Sequence, residues 1–150
     1  MSPDLWTFAT TLYARPGVEA ACLELQAAGA DVCLLLCGLW LDSHGVAHSA
    51  DREAQLRRIA EPWQQEVVKP LRALRQGWRE AAGQDSALAG LRERVKQLEL
   101  EAERELLERL QALAEGWSQQ PRDQDQQWVE AFSPAGHAEA CAGLRSASLL

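Results

Sequence analysis

The chain has 150 residues, 47 % of them hydrophobic, and a net charge of −7. A domain of this size buries about 68–70 % of the surface its unfolded chain exposes, so one core suffices without disulfides. The acidic balance argues against a nucleic-acid partner, because such surfaces gain affinity by releasing counterions with Lys and Arg. Four irregularly spaced cysteines do not read as a secreted disulfide framework. The N-terminal stretch MSPDLWTFATTLYARPG lacks the charged and apolar regions of a signal peptide. The longest apolar run, Val32 to Leu41, falls well short of the roughly 20 residues a membrane span needs. The expectation is a cytoplasmic protein with reduced thiols and no membrane span.

The elements, taken in chain order, all carry helix punctuation. Ser2-Pro3-Asp4 is a start signal, with Ser2 as candidate cap. The helix it opens runs to about Ala14, where Arg15-Pro16-Gly17 breaks it. A second helix, from about Pro16 to Ala28, sets Val18, Ala21, Cys22 and Leu25 on one face, and Gly29 ends it as a left-handed C-cap would. Asp31 is then a good N-cap for a helix over 31–43 that is apolar on every side, which marks it as buried on every side. Ser49 caps a segment in which Leu56, Ile59, Trp63, Val67, Leu71, Leu74 and Trp78 recur at steps of three or four. Pro62 and Pro70 interrupt it, and the expectation is a split near Pro62. Gly83 ends this element. Residues 86–118 form the longest helix, with apolar positions at a mean spacing of about 3.6, the period of a straight helix rather than of a supercoiled zipper. No run alternates apolar and polar residues as a strand would.

After Ser118 the composition changes. QQPRDQDQQ reads as a linker, and an Ala-, Gly- and Ser-rich tail follows. The reading is therefore all-α, a single-domain bundle of about six helices over 2–118, with 119–150 as linker and a flexible or loosely docked tail. Trp6, Trp40, Trp63, Trp78 and Trp117 fall on apolar faces and are expected in the core. Trp128 and Phe132 lie beyond the linker, as a docking anchor on the bundle or a hook for another protein.

Two constellations invite a chemical reading. Cys33 and Cys37 share a helix face, and His44 and His48 follow within sixteen residues of Cys33. A metal site is the weaker alternative here. At 1.5 Å per residue His44 lies about 10 Å along the axis from Cys37, whereas zinc ligands sit about 2.0–2.3 Å from the ion. Closure would need His48 to fold back at Gly45, or Cys22 or Cys141 as a further ligand. Buried thiols acting as small hydrophobes are the simpler account. A redox pair is disfavoured, because reactive CxxC thiols sit at a helix N-terminus.

The second constellation is the polar stripe Lys69, Arg72, Arg75, Gln76 and Arg79. It suits a carboxylate or phosphate. Glu99, Glu103 and Glu108 on the long helix offer an alternative, an interhelical ion-pair ladder. Gln26 and Asp31, flanking the turn into the buried helix, could complete a pocket with Arg72 and Arg75. Catalytic templates are missing: there is no GxSxG, HExxH, glycine-rich phosphate loop or ExxH pair. No catalytic residue and no cofactor is assigned.

Three runs carry a family likeness: LWTFATTLYARPGVEAACLELQAAGADVCLLLCGLWL, WQQEVVKPLRALRQGWRE and LRERVKQLELEAERELLERL. Over residues 5–110 the chain resembles an uncharacterised proteobacterial domain-of-unknown-function family of helical proteins of about this length. The resemblance implies a small bacterial cytoplasmic helical protein with a variable C-terminal part. The family pattern has Asn at the position of Cys33, which implies that Cys33 is not a ligand the family depends on. No activity or site residue comes with it. The leading expectation is a non-enzymatic protein–protein interaction module with an unknown protein partner, as a monomer or weak dimer. The alternative is a helical protein, a binding protein or an enzyme, that binds an anion or small molecule through Gln26, Asp31, Arg72, Arg75 and Arg79.

Overall fold

The computed structural model describes residues 1–119 and 128–149. The linker expected at QQPRDQDQQ falls almost wholly outside them. The described residues form α-helices, with one isolated bridge between Val46 and Gln119.

Helix α1 (Leu5–Tyr13) is capped by Asp4, whose carboxylate accepts the Thr7 N–H at 2.8 Å. The cap expected at Ser2 therefore lies two residues late, and the aspartate does more than bias the helix dipole. Helix α2 (Val18–Ala27) ends before Gly29, whose φ of +100° only glycine adopts at low cost. Helix α3 (Val32–Ser43) opens at Asp31, which accepts the Leu34 N–H at 3.2 Å. Every residue from Cys33 to Asp42 is buried. The expected central helix is present, and helices from both before and after it in the chain pack on it.

Helix α4 (Ala50–Trp63) is capped by Ser49 and runs straight through Pro62. The split expected there does not occur. One π-helical turn, Gln64–Val68, joins α4 to α5 (Lys69–Gly77) as a single rod. The Lys69 N–H reaches back to the Gln64 carbonyl, five residues away. The widened turn resets the hydrogen-bond register just before Pro70, which has no N–H and whose ring would crowd the preceding turn of an α-helix. A short α6 (Arg79–Ala82) leads to α7 (Ser86–Ala114), capped by Asp85. The long helix ends at Ala114, so the expected end at 118 is four residues too late.

The C-terminal segment is a structural part of the bundle. Helix α8 (Trp128–Phe132) lies on α3, and α9 (Ala138–Ser148) lies on α2. Trp128 and Val129 are 0 % exposed. A core over 2–118 with a loosely attached tail does not describe this packing, because Trp128, Val129, Phe132 and Leu144 belong to the same apolar cluster as α3. The Trp128 Nε1–H donates to the Val46 carbonyl at 2.8 Å. Its N–H and that of Val129 donate to the Asp42 carboxylate at 3.2 and 3.3 Å. Trp117 stacks on the Trp128 ring, and His48 meets it edge-on. Of the other tryptophans, Trp40 is fully buried, whereas Trp6, Trp63, Trp78 and Trp117 are partly buried.

Gly38 makes this docking close. A Cβ added there would lie 3.1 Å from the Phe132 ring and 3.3 Å from the Trp128 backbone carbon. Gly38→Leu is expected to cost at least about 1–3 kcal/mol through overpacking, although leucine is the better helix former. Urea unfolding checks this, and wild-type stability in the variant would contradict the packing of α8 on α3.

Candidate functional site

The site builds outward from the N-terminal end of α3. A buried helix start leaves backbone N–H groups that need acceptors. Asp31 meets that need, and its carboxylate also accepts the Gln64 side-chain N–H at 2.9 Å. Gln64 reaches it because it follows the buried Leu56 and Ala60 at steps of four along the rod, and it is itself buried. Burial pushes the Asp31 carboxyl above its ordinary range, against the Leu34 N–H, the Gln64 amide and the Lys69 charge, which favour the ionised form.

The expected ladder forms between α5 and α7. Glu99, 6 % exposed, accepts the Arg72 Nε–H at 3.0 Å and the Arg75 Nε–H at 2.6 Å. Burial alone would raise Glu99, but the bonds from Arg75 and Arg72 outweigh it and hold the carboxyl below its usual value. Glu103 lies farther out, 3.9 Å from Arg72. Burial, then the Glu99 charge, raises it to about 7. Gln26, with its amide oxygen turned toward Arg72, accepts from Nε at 3.2 Å and Nη2 at 3.0 Å.

Of these groups Gln26, Asp31, Gln64, Arg72 and Glu103 line a cleft of about 530 Å³ between the α2–α3 turn, the π turn, α7 and the segment after α8. Of the predicted ligand residues, Gln26, Asp31 and Arg72 lie on its wall. Arg75 is absent from the wall and holds Glu99 from the other side of the ladder. Arg79 is exposed at the start of α6 and does not join them. The sequence reading missed Gln64 on the wall, along with Arg57 and Glu61. The available signal for Gln64 was its place eight residues after Leu56 and four after Ala60, on the buried face of α4. Arg57 also bonds the Ala131 carbonyl and lies over the Phe132 ring, so it couples the cleft to α8.

The sulfur and imidazole groups are held apart. Cys33 and Cys37 are buried, and burial raises both thiols far above their ordinary value. The His44 ring lies against the Trp40 carbonyl at 2.8 Å and the Ser2 carbonyl at 3.1 Å, while His48 pairs with Glu53 at 2.8 Å. Among the described residues no three His, Cys, Asp or Glu side chains gather as a metal site would. Trp128 and Phe132, the predicted partner hooks, are buried in the core.

A protein-family model described as "Protein of unknown function (DUF2390)" matches residues 4–110, and the chain belongs to that family. No curated protein and no solved structure gives a significant match. Among the described residues no helix is long and apolar enough to cross a membrane.

Because Glu103 titrates near 7 in the fold and near 4.5 as a free side chain, the folded chain holds that proton more tightly than the unfolded one. The stabilisation is complete below pH 4.5 and is lost as pH rises through 7. Glu103→Gln is therefore expected to be more stable than wild type by about 1–2 kcal/mol at pH 8, with the advantage gone at pH 4.5. Urea titrations at both pH values test this, and a difference that does not change with pH would contradict it.

Proposed function

We propose that this DUF2390 member is a small-molecule-binding helical protein whose ligand sits in the cleft at the start of α3. The observation that carries the reading is the convergence of Gln26, Asp31, Gln64, Arg72 and Glu103 from separate elements on one concave surface of about 530 Å³. Ligand clefts of about 300–1,000 Å³ use a few convergent polar groups to fix orientation. π-helical turns are rare and cluster at functional sites, and this one supplies Gln64. The wall carries Arg57, Lys69 and Arg72 beside Asp31, Glu61 and Glu103, which suits a small molecule bearing both a cationic and an anionic group. No catalytic role is assigned to these residues.

The other reading, a protein–protein interaction module, rests on the absent catalytic templates, the acidic balance and the aromatic segment at Trp128 and Phe132. The burial of Trp128 and Phe132 takes away the last of these supports. A reducing compartment such as the cytoplasm fits four buried, unbridged cysteines.

The test is a titration of the isotopically labelled full chain with L-arginine, L-glutamate and phosphoethanolamine. Acetate and methylammonium serve as single-charge controls. Saturable amide shifts over Gly29 to Leu34 and at Gln64, with Kd of about 1 mM or tighter for a doubly charged probe, are expected. Arg72→Ala should weaken them at least about tenfold. Equal, non-saturating shifts with every probe would contradict the reading.

A further inference from the structure

Glu103 is the carboxyl of the cleft wall that lacks a counter-charge of its own. It stands on α7 one turn after Glu99 and lines the cleft. Glu99 takes the Nε–H groups of both Arg72 and Arg75. The outer edge of the Arg72 guanidinium is turned to the Gln26 amide oxygen. What reaches Glu103 is the Arg72 Nη2 at 3.9 Å, beyond hydrogen-bond distance. Among the described residues its carboxylate makes no hydrogen bond. Three carboxyls, Asp31, Glu99 and Glu103, thus stand around two guanidinium groups, and the exposed Lys69 faces Asp31.

Resting on the small-molecule reading of the cleft, we propose that Glu103 is the residue that receives the ligand's cationic group, a guanidinium or a primary ammonium. A carboxyl on a partly desolvated wall takes either an opposite charge or a proton. Without a ligand the proton serves. Burial, then the Glu99 charge, raises this carboxyl to about 7, against Arg72 and Arg75. When a cation enters, one proton leaves the carboxyl for solvent and one positive charge takes its place, so the wall keeps its charge balance.

The groups that face Glu103 are Arg72 and Arg75 from α5, Glu99 from its own helix, Asp31 from the α2–α3 turn, Tyr13 from α1 and Cys33 from α3. The arginines stay charged. Glu99 is held below its usual value by Arg75 and Arg72. Burial pushes Tyr13 up to about 12 and Cys33 well above its ordinary range. Asp31 is also raised by burial, and a Glu103 variant separates its share. About one Glu103 in ten is ionised at pH 6 and about nine in ten at pH 8. Affinity for a cation-bearing ligand therefore rises with pH over this range.

Titration of the isotopically labelled full chain with 4-guanidinobutyrate tests this, because the charges of that compound are fixed between pH 6 and pH 8. Its neutral counterpart, 4-ureidobutyrate, has the same shape without the cation. 4-Guanidinobutyrate is expected to bind about five- to tenfold more tightly at pH 8 than at pH 6. At pH 7 it should release about half a proton, read by calorimetry in two buffers of different ionisation enthalpy. 4-Ureidobutyrate should gain nothing as pH rises. Glu103→Gln, which the stability argument above leaves folded, should bind 4-guanidinobutyrate about five- to tenfold more weakly than wild type at pH 8, with less than about a twofold change between the two pH values. Equal wild-type affinity at both pH values would overturn the assignment of Glu103 while leaving the small-molecule reading in place. So would a pH dependence that persists in Glu103→Gln. Absence of saturable binding by either compound at pH 8 would overturn that reading and this proposal together.

Discussion

A helix that is apolar on every side can be stable only if other elements cover it on every side, and α3 imposes that constraint on the whole chain. Cys33 to Asp42 are all buried. The neighbouring helices α1, α2, α4 and α7 leave one flank of α3 for elements from the far end of the sequence. Helix α8 takes it, lodged against Gly38 where the missing side chain lets two backbones approach. Burying a short helix there would strand its first N–H groups, and Asp42 answers two of them. That carboxyl is itself pushed up to about 6 by burial, against the bonds from Trp128 and Val129. The polar group is tolerated because the apolar contacts around it outweigh its desolvation.

The same constraint explains where the cleft lies. The other end of α3 also begins in the interior, and Asp31 must be brought there with partners. Gln64 donates to it, while Gln26 and Glu99 accept from Arg72 nearby and Arg75 donates to Glu99 from the other side. A polar network thus forms at the edge of the core, with side chains from α2, α5, α7 and the π turn. Its concave face is the cleft. The segment of α5, α6 and the first half of α7 is the converse case. Beyond the reach of α3 these helices have only one another to pack on, and Leu74, Leu91 and Leu98 stay exposed.

Much of this was legible in the sequence. The unbroken apolar run from Val32 to Leu41 announced the buried helix, and Asp31, Ser49 and Gly29 marked boundaries through local chemistry that needs no tertiary context. The Arg72/Arg75 stripe and Glu99 could be paired because both follow helical spacing on neighbouring elements. What escaped was non-local or depended on register. Trp128 and Phe132 could be a docking anchor or a hook for another protein, because a polar stretch separates them from the bundle and nothing local says that α3 has a vacant flank. Pro62 read as a break because a proline removes a helix hydrogen bond, yet α4 continues through it, and the π turn resets the register only before Pro70. Gln64 went unnoticed because a polar residue reads as solvated until its non-local partner, Asp31, is in place.

The central claim is that α3 is enclosed on all sides, and its thiols report on this directly. Cys33 and Cys37 are 3 % and 0 % exposed. Treating the native protein with an aromatic disulfide reagent, with mass-spectrometric assignment of the modified sites, measures access to them. The account predicts that Cys33 and Cys37 react only at the rate of global unfolding, and that all four cysteines react at once in denaturant. Rapid modification of either residue under native conditions would show that α3 is open to solvent and would contradict the account.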